Sequence, residues 1–174
     1  MVRYVHHQWA AVVDVGVATL VTAPVVFGVR GLPDADGRKV AVLVAILVIS
    51  ALVGLLAVSL RSHWLGGEKG DFESAVPLTC PEAILPTSRA SMRRALATPF
   101  AVLVPLGCLG FGLFWDPWAV CWGFFFAPER IVKGVCVSFW ERRRGVLLWY
   151  GWVDKQPLGK DQFLYSSPRI APPV

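Results

Sequence analysis

Residues 40–60 have the sequence VAVLVAILVISALVGLLAVSL and contain no charged side chain. Arg38 and Lys39 precede this run, and Arg61 follows it. At a rise of about 1.5 Å per residue, a helix of this length crosses the roughly 30 Å hydrocarbon core of a bilayer. The stretch therefore predicts a transmembrane helix, around which the rest of the chain has to be arranged.

The composition of the whole chain agrees with a membrane protein. Of 174 residues, 55% are hydrophobic and 17% are charged, whereas soluble domains average about 45–50% and 25%. This hydrophobicity excludes a disordered chain, and four cysteines are too few for a disulfide scaffold. The net charge of +5 comes from cations that flank apolar runs, so we expect no nucleic-acid partner.

A second span is predicted at 8–29, where the apolar run is interrupted by Asp14 and contains Pro24. The second half of the chain holds an apolar run that is too long for one span. Both runs are predicted to be helical, because a helix satisfies its backbone hydrogen bonds within the lipid.

A turn is predicted within the long run, because the Asp116-Pro117 step disfavours a continuous helix. We therefore predict a hairpin of two spans, at 95–115 and 118–140. An alternative for the second arm is a re-entrant segment that ends near Pro128, followed by a helix in the membrane interface.

Lysine and arginine fall mainly on one side of this four-span topology. Only Arg30, Arg38 and Lys39 lie on the opposite side. Because cations accumulate on the cytoplasmic or matrix side, both termini are predicted to lie there. Three spans would divide the cations almost evenly, so an even number is favoured.

The predicted fold class is an all-α membrane protein with about four transmembrane helices. Residues 1–150 form its polytopic membrane domain, in which 61–94 are an irregular inner loop. Residues 151–174 are a Pro-rich, extended tail. Neither polar segment has the apolar periodicity of a separate domain, so we expect both to become ordered against a partner.

Asp14 is the most informative single residue. It lies about six residues inside its span, roughly 9 Å deep, where an ionised side chain costs on the order of 2.5–3.5 kcal/mol. We predict an intramembrane ion pair with Lys133 or Arg130 of the fourth span. In the alternatives, Asp14 reaches the interface or a neighbouring subunit, and Glu129 competes for Lys133 through i,i+4 spacing.

Basic residues of the last span predict contact with phospholipid or with a partner subunit. Arg130 and Lys133 share a helix face inside the apolar region, unless the helix boundary lies elsewhere. A bound anionic phospholipid such as cardiolipin suits this group, whose members are Arg130, Lys133, Arg142, Arg143 and Arg144.

The sequence carries no recognisable catalytic or cofactor motif. It lacks a P-loop, G-x-S-x-G, H-E-x-x-H and a dinucleotide fingerprint. His6, His7, His63 and the four cysteines do not have metal-ligand spacing, so we expect no metal and no catalytic residue. The aromatic patch at 111–126 indicates a membrane-interface belt, with a ligand-stacking or quinone-lining surface as the alternative.

These observations favour a non-catalytic accessory or structural subunit of a multi-subunit membrane complex. A respiratory-chain or ATP-synthase assembly in the mitochondrial inner membrane is preferred to one in a bacterial plasma membrane. The first alternative is a small transporter or channel component whose wet path is lined by Asp14, Glu129, Arg130 and Lys133. The second is a membrane enzyme that acts on lipid or quinone.

Overall fold

The computed structural model describes residues 1–34, 36–61, 67–154, 156–159 and 162–169. Most of the described residues are helical. The elements follow one another as β1 (Val2–Arg3), α1 (Tyr4–Arg30), α2 (Gly37–Ser59), α3 (Lys69–Glu73), β2 (Val76–Pro77), α4 (Pro81–Ile84), α5 (Ser88–Leu96), α6 (Phe100–Phe114), a 3₁₀ helix (Pro117–Phe125), α7 (Ala127–Arg144), β3 (Val146–Tyr150) and β4 (Tyr165–Pro168).

Three helical stretches are long and apolar enough to cross a membrane. They are α1, α2 and Ser88–Phe114, which comprises α5 and α6. Gly31 follows α1 with a φ of +82°, a conformation that favours glycine. The Asp36 side chain caps α2 by accepting a hydrogen bond from the backbone N–H of Arg38. These local signals explain why the first two spans end close to their predicted boundaries.

The predicted fourth span is not one α-helix. Asp116 caps a 3₁₀ helix by accepting a hydrogen bond from the backbone N–H of Trp118 at 2.9 Å, which confirms a turn at this step. The chain then breaks at Phe126, and α7 begins with Pro128 in its first turn. Charged residues keep α7 from qualifying as an apolar span. The break lies close to the position where the re-entrant alternative ends.

The long helices pack side by side, with α7 in contact with both α1 and α2, and α6 against α1. Glycines permit the closest approaches. A Cβ added at Gly54 of α2 would lie 2.8 Å from the backbone oxygen of Glu129, and one at Gly123 would lie 2.9 Å from Val15. The absence of a side chain at these two glycines therefore lets the neighbouring elements approach closely.

A four-stranded sheet covers one end of the helices, which corrects the all-α prediction. Its strand order is β1-β3-β4-β2. The first strand pairs antiparallel with β3, so that Val2 lies opposite Tyr150. β4 pairs antiparallel with β3 and parallel with β2. We call this end of the helices the sheet end, and the end at the α1–α2 connection the turn end.

The segments predicted as an irregular loop and an extended tail form the core of the sheet end. Phe72 and Leu164 pack with Tyr4, Val137 and Leu148 in one cluster. A second cluster is built by Leu78, Trp149, Val153 and Tyr165. The described parts of both segments are thus ordered against each other and against the start of the chain. Strands of two to five residues are too short to produce a clear alternating pattern.

Candidate functional site

Lys133 lies at the centre of a buried charge cluster near the sheet end. Only 7% of the residue is exposed. Its Nζ is 2.7 Å from Oε1 of Glu129 and 2.9 Å from Oε1 of Glu68. The hydroxyl of Tyr4 donates a hydrogen bond to the other carboxylate oxygen of Glu68. These four residues, here named the Lys133 cluster, hold one cation between two carboxylates.

The backbone brings the two glutamates to Lys133 from different directions. Glu129 is one helical turn before Lys133 in α7, and its N–H donates to Ser50 Oγ of α2. Glu68 arrives from the segment after α2, where its N–H donates to the carbonyl of Ala57 at 2.7 Å. The cluster therefore joins α1, α2 and α7 at one point.

Arg130 lies beside a half-open cavity of about 320 Å³. Its Nη1 donates to Oε1 of the buried Gln8 at 3.1 Å. The cavity lies where α1 meets the start of α6 and the break between the 3₁₀ helix and α7. Its lining residues are His7, Ala11, Asp14, Val15, Ala95, Thr98, Pro99, Phe100, Phe126, Ala127 and Arg130.

Asp14 faces this cavity and has no salt bridge among the residues that the structure describes. Lys133 instead pairs with Glu129, the competitor named from the sequence, and with Glu68. Asp14 and Arg130 share the cavity, but they do not form an ion pair. Asp14 and Arg130 therefore lie close together as predicted, but the predicted ion pair of Asp14 with Lys133 or Arg130 is not formed.

A second charge pair, between the half-buried Arg3 and Glu141, lies closer to the sheet. Glu141 is fully buried and accepts hydrogen bonds from the Arg3 guanidinium and from the backbone N–H of Leu148. Sequence reasoning missed Glu141 because it precedes three arginines that suggested an exposed anchor. Its spacing from Lys133 and Val137, at i, i+4 and i+8, was the available sign of a buried helix face. Glu68 had no comparable signal.

The three arginines after Glu141 are exposed at the C-terminal end of α7. The Arg144 guanidinium lies 5.5 Å from the centre of the Trp140 ring. Cations at this position also interact favourably with the helix dipole. Arg142, Arg143 and Arg144, here named the arginine collar, are free to meet ligands outside the chain.

Aromatic side chains gather at the turn end. Phe111 and Trp122 lie with ring centres 4.8 Å apart, and Trp115 is 68% exposed. Trp118 donates from its indole nitrogen to the carbonyl of Asp34, and Lys39 lies 4.0 Å from Asp116. The arrangement agrees with an interfacial aromatic belt.

Apolar helices, an aromatic belt and charges paired inside the protein define the class: the chain is an integral membrane protein with three apolar helices of spanning length. No group of three or more potential metal ligands occurs among the described residues; His63 lies outside them. No protein-family model matches the chain, and neither a curated protein nor a solved structure is significantly similar to it.

Proposed function

We propose that the protein is a non-catalytic accessory subunit of a larger membrane assembly. One observation supports this proposal above the others: the buried Lys133 and the half-buried Arg3 are bound to glutamates of the same chain. Such pairs hold helices and sheet in one arrangement, and they do not leave a charged path open to water. We therefore expect the protein to act through its outer surface, by contact with other subunits and with lipid.

The outer surface of α2 is the proposed contact with partner subunits. Of its 23 residues, only Gly54 and Ala57 are buried within the chain. Ala41 and Ala45 are exposed four residues apart, a spacing that lets a second helix approach closely. Partner helices would therefore pack on this surface.

The arginine collar is the proposed contact with anionic phospholipid such as cardiolipin. Its three cations are exposed and lie beside Trp140, a combination suited to a membrane interface. Lys133 is occupied by its glutamates, so the lipid proposal no longer includes it. A respiratory-chain or ATP-synthase assembly in the mitochondrial inner membrane is the preferred setting, ahead of a bacterial plasma membrane.

We further propose that the chain crosses the membrane four times, with both termini on the cytoplasmic or matrix side. The 3₁₀ helix and α7 together are about 45 Å long at the usual rises. They lead from Asp116, beside Lys39 at the turn end, to Glu141, beside Arg3 at the sheet end. These two contacts at opposite ends of the helices support a fourth crossing in spite of the charges in α7.

Single cysteines in an otherwise cysteine-free chain test this topology. A membrane-impermeant maleimide should label Leu32→Cys and Trp115→Cys from one side of sealed vesicles, because both positions lie at the turn end. Asp154→Cys, near the sheet, should react only from the other side. Labelling of Asp154→Cys from the same side as Leu32→Cys would contradict four crossings.

Photo-crosslinking in native membranes tests the accessory function. A photoreactive residue at Ala45, Ile49 or Leu52 of α2 should give one recurring adduct with another membrane protein, identified by mass spectrometry. The exposed Leu103 on α6 serves as the control position. Lipid adducts alone at every position would overturn the proposal.

A transporter or channel component is the second candidate. The interruption between the 3₁₀ helix and α7 favours it, because many transporters place substrate sites at discontinuous helices. Purified protein in liposomes distinguishes the two functions. The accessory function predicts no ion flux, whereas flux through a homo-oligomer of this chain would replace it.

A further inference from the structure

The cavity beside Arg130 combines an apolar opening with opposite charges inside. On α1, His7, Ala11 and Asp14 follow one another at i, i+4 and i+7 and share the face that lines it. Phe100 and Phe126 are exposed residues of its lining. The cavity volume of about 320 Å³ lies in the range of small-molecule sites, which is about 300–1,000 Å³.

Arg130 has hydrogen-bonding capacity beyond its contact with Gln8. A guanidinium carries five N–H donors in a planar fork, and one of them donates to Gln8. The fork geometry suits a phosphate group, which accepts two parallel hydrogen bonds. Arg130 thus supplies an anchor for an anion within the cavity.

A simple anion would pair with Arg130 but would leave Asp14 without a partner. Its carboxylate faces the same cavity and has no salt bridge within the described part of the chain. An ionised, unpaired carboxylate in an apolar span is costly. A ligand that carries a phosphate and a protonated amine would satisfy Arg130 and Asp14 together.

We propose that this cavity binds one phospholipid with an ethanolamine-type head group. Its phosphate binds Arg130, its primary ammonium binds Asp14, and its acyl chains leave past Phe100 and Phe126. A choline head group offers no N–H donor, and a glycerol head group offers no cation, so both fit less well. This cavity is separate from the arginine collar, so the inference goes beyond the proposed function and requires no partner subunit.

Lipid exchange on the purified full-length chain tests the proposal. The protein carries Arg142→Gln, Arg143→Gln and Arg144→Gln, so that anionic lipid at the arginine collar is not counted. It is delipidated and mixed with equal amounts of phosphatidylethanolamine, phosphatidylcholine and phosphatidylglycerol that have identical acyl chains, and native mass spectrometry counts the bound lipids. We expect about tenfold preferential retention of phosphatidylethanolamine, because its amine adds a charge-assisted hydrogen bond. With the collar cations removed, equal retention of the three lipids, or a preference for phosphatidylglycerol, overturns the proposal.

Three substitutions separate the contributions of the charges. Arg130→Gln should abolish the retained lipid, whereas Arg130→Lys should keep part of it. Asp14→Asn should still bind phospholipid but lose the preference for the ethanolamine head group. Arg38→Gln, an exposed cation at the turn end, is the matched control and should behave as the unmodified chain.

The thermal midpoint of each variant verifies that it is folded. A preference that survives Asp14→Asn, or full retention by Arg130→Gln, contradicts the site. Because the readout is lipid bound to the isolated chain, its failure is distinct from a failure to crosslink a partner subunit.

Discussion

Lys133→Met is expected to lower the free energy of unfolding by about 3 kcal/mol, since removing one partner of a buried ion pair typically costs 3–5 kcal/mol. The substitution leaves Glu68 and Glu129 facing each other without their cation. The lower end of the range applies because the two carboxylate side chains are 26% and 20% exposed. The thermal midpoint in mild detergent measures the loss.

Lys39→Met is the matched control. Lys39 pairs with Asp116, but both side chains are about half exposed, and such surface pairs contribute roughly 0–1 kcal/mol. Adding Glu68→Gln and Glu129→Gln to Lys133→Met should recover stability, because no unpaired carboxylate then remains. An equal midpoint for Lys133→Met and the unmodified chain would show that the cluster does not hold the helices together.

Glu141→Ala is expected to destabilise the sheet end by about 3 kcal/mol, the low end of the range, because the Arg3 side chain is 25% exposed. It removes the acceptor of both the Arg3 guanidinium and the Leu148 N–H. Arg3 Nε already lacks a hydrogen-bond partner in the described structure, so the substitution leaves a second part of the guanidinium unpaired. Hydrogen exchange should accelerate at the backbone amide of Leu148.

Glu141→Gln separates charge from hydrogen bonding in this prediction. The amide oxygen still accepts from Leu148 N–H, while the attraction to Arg3 weakens, so an intermediate loss is expected. Arg143→Ala, at an exposed position on the same helix, should change the midpoint little. A Glu141→Ala chain with unchanged exchange rates would contradict a structural role for this carboxylate.

Hydropathy alone was sufficient to locate α1 and α2, because a spanning helix in lipid is selected by length and apolar content. The Asp116-Pro117 step likewise predicted the turn correctly, since its signal is local. The third stretch, Ser88–Phe114, covers all but the last residue of the predicted span at 95–115. It consists of two helices separated at 97–99.

The 3₁₀ helix and the sheet escaped prediction for the opposite reason. Nothing within 117–126 distinguishes a 3₁₀ helix from an α-helix by composition. Val2 pairs with Tyr150, which lies 148 positions later in the sequence. No local sequence pattern indicates such a contact. The pairing of Lys133 with Glu68 was not predicted for the same reason, because the two residues lie far apart in sequence.

The pairing of β1 with β3 has a consequence for biosynthesis. Val2 is synthesised before its partner Tyr150, which follows 148 positions later. At about 5–20 residues per second, the first strand waits roughly 7–30 s for its partner. The long helices are synthesised and can enter the bilayer during that interval, whereas the sheet can close only afterwards. The sheet end is therefore assembled later than the helices α1, α2 and α6, because β3 and β4 follow them in the sequence.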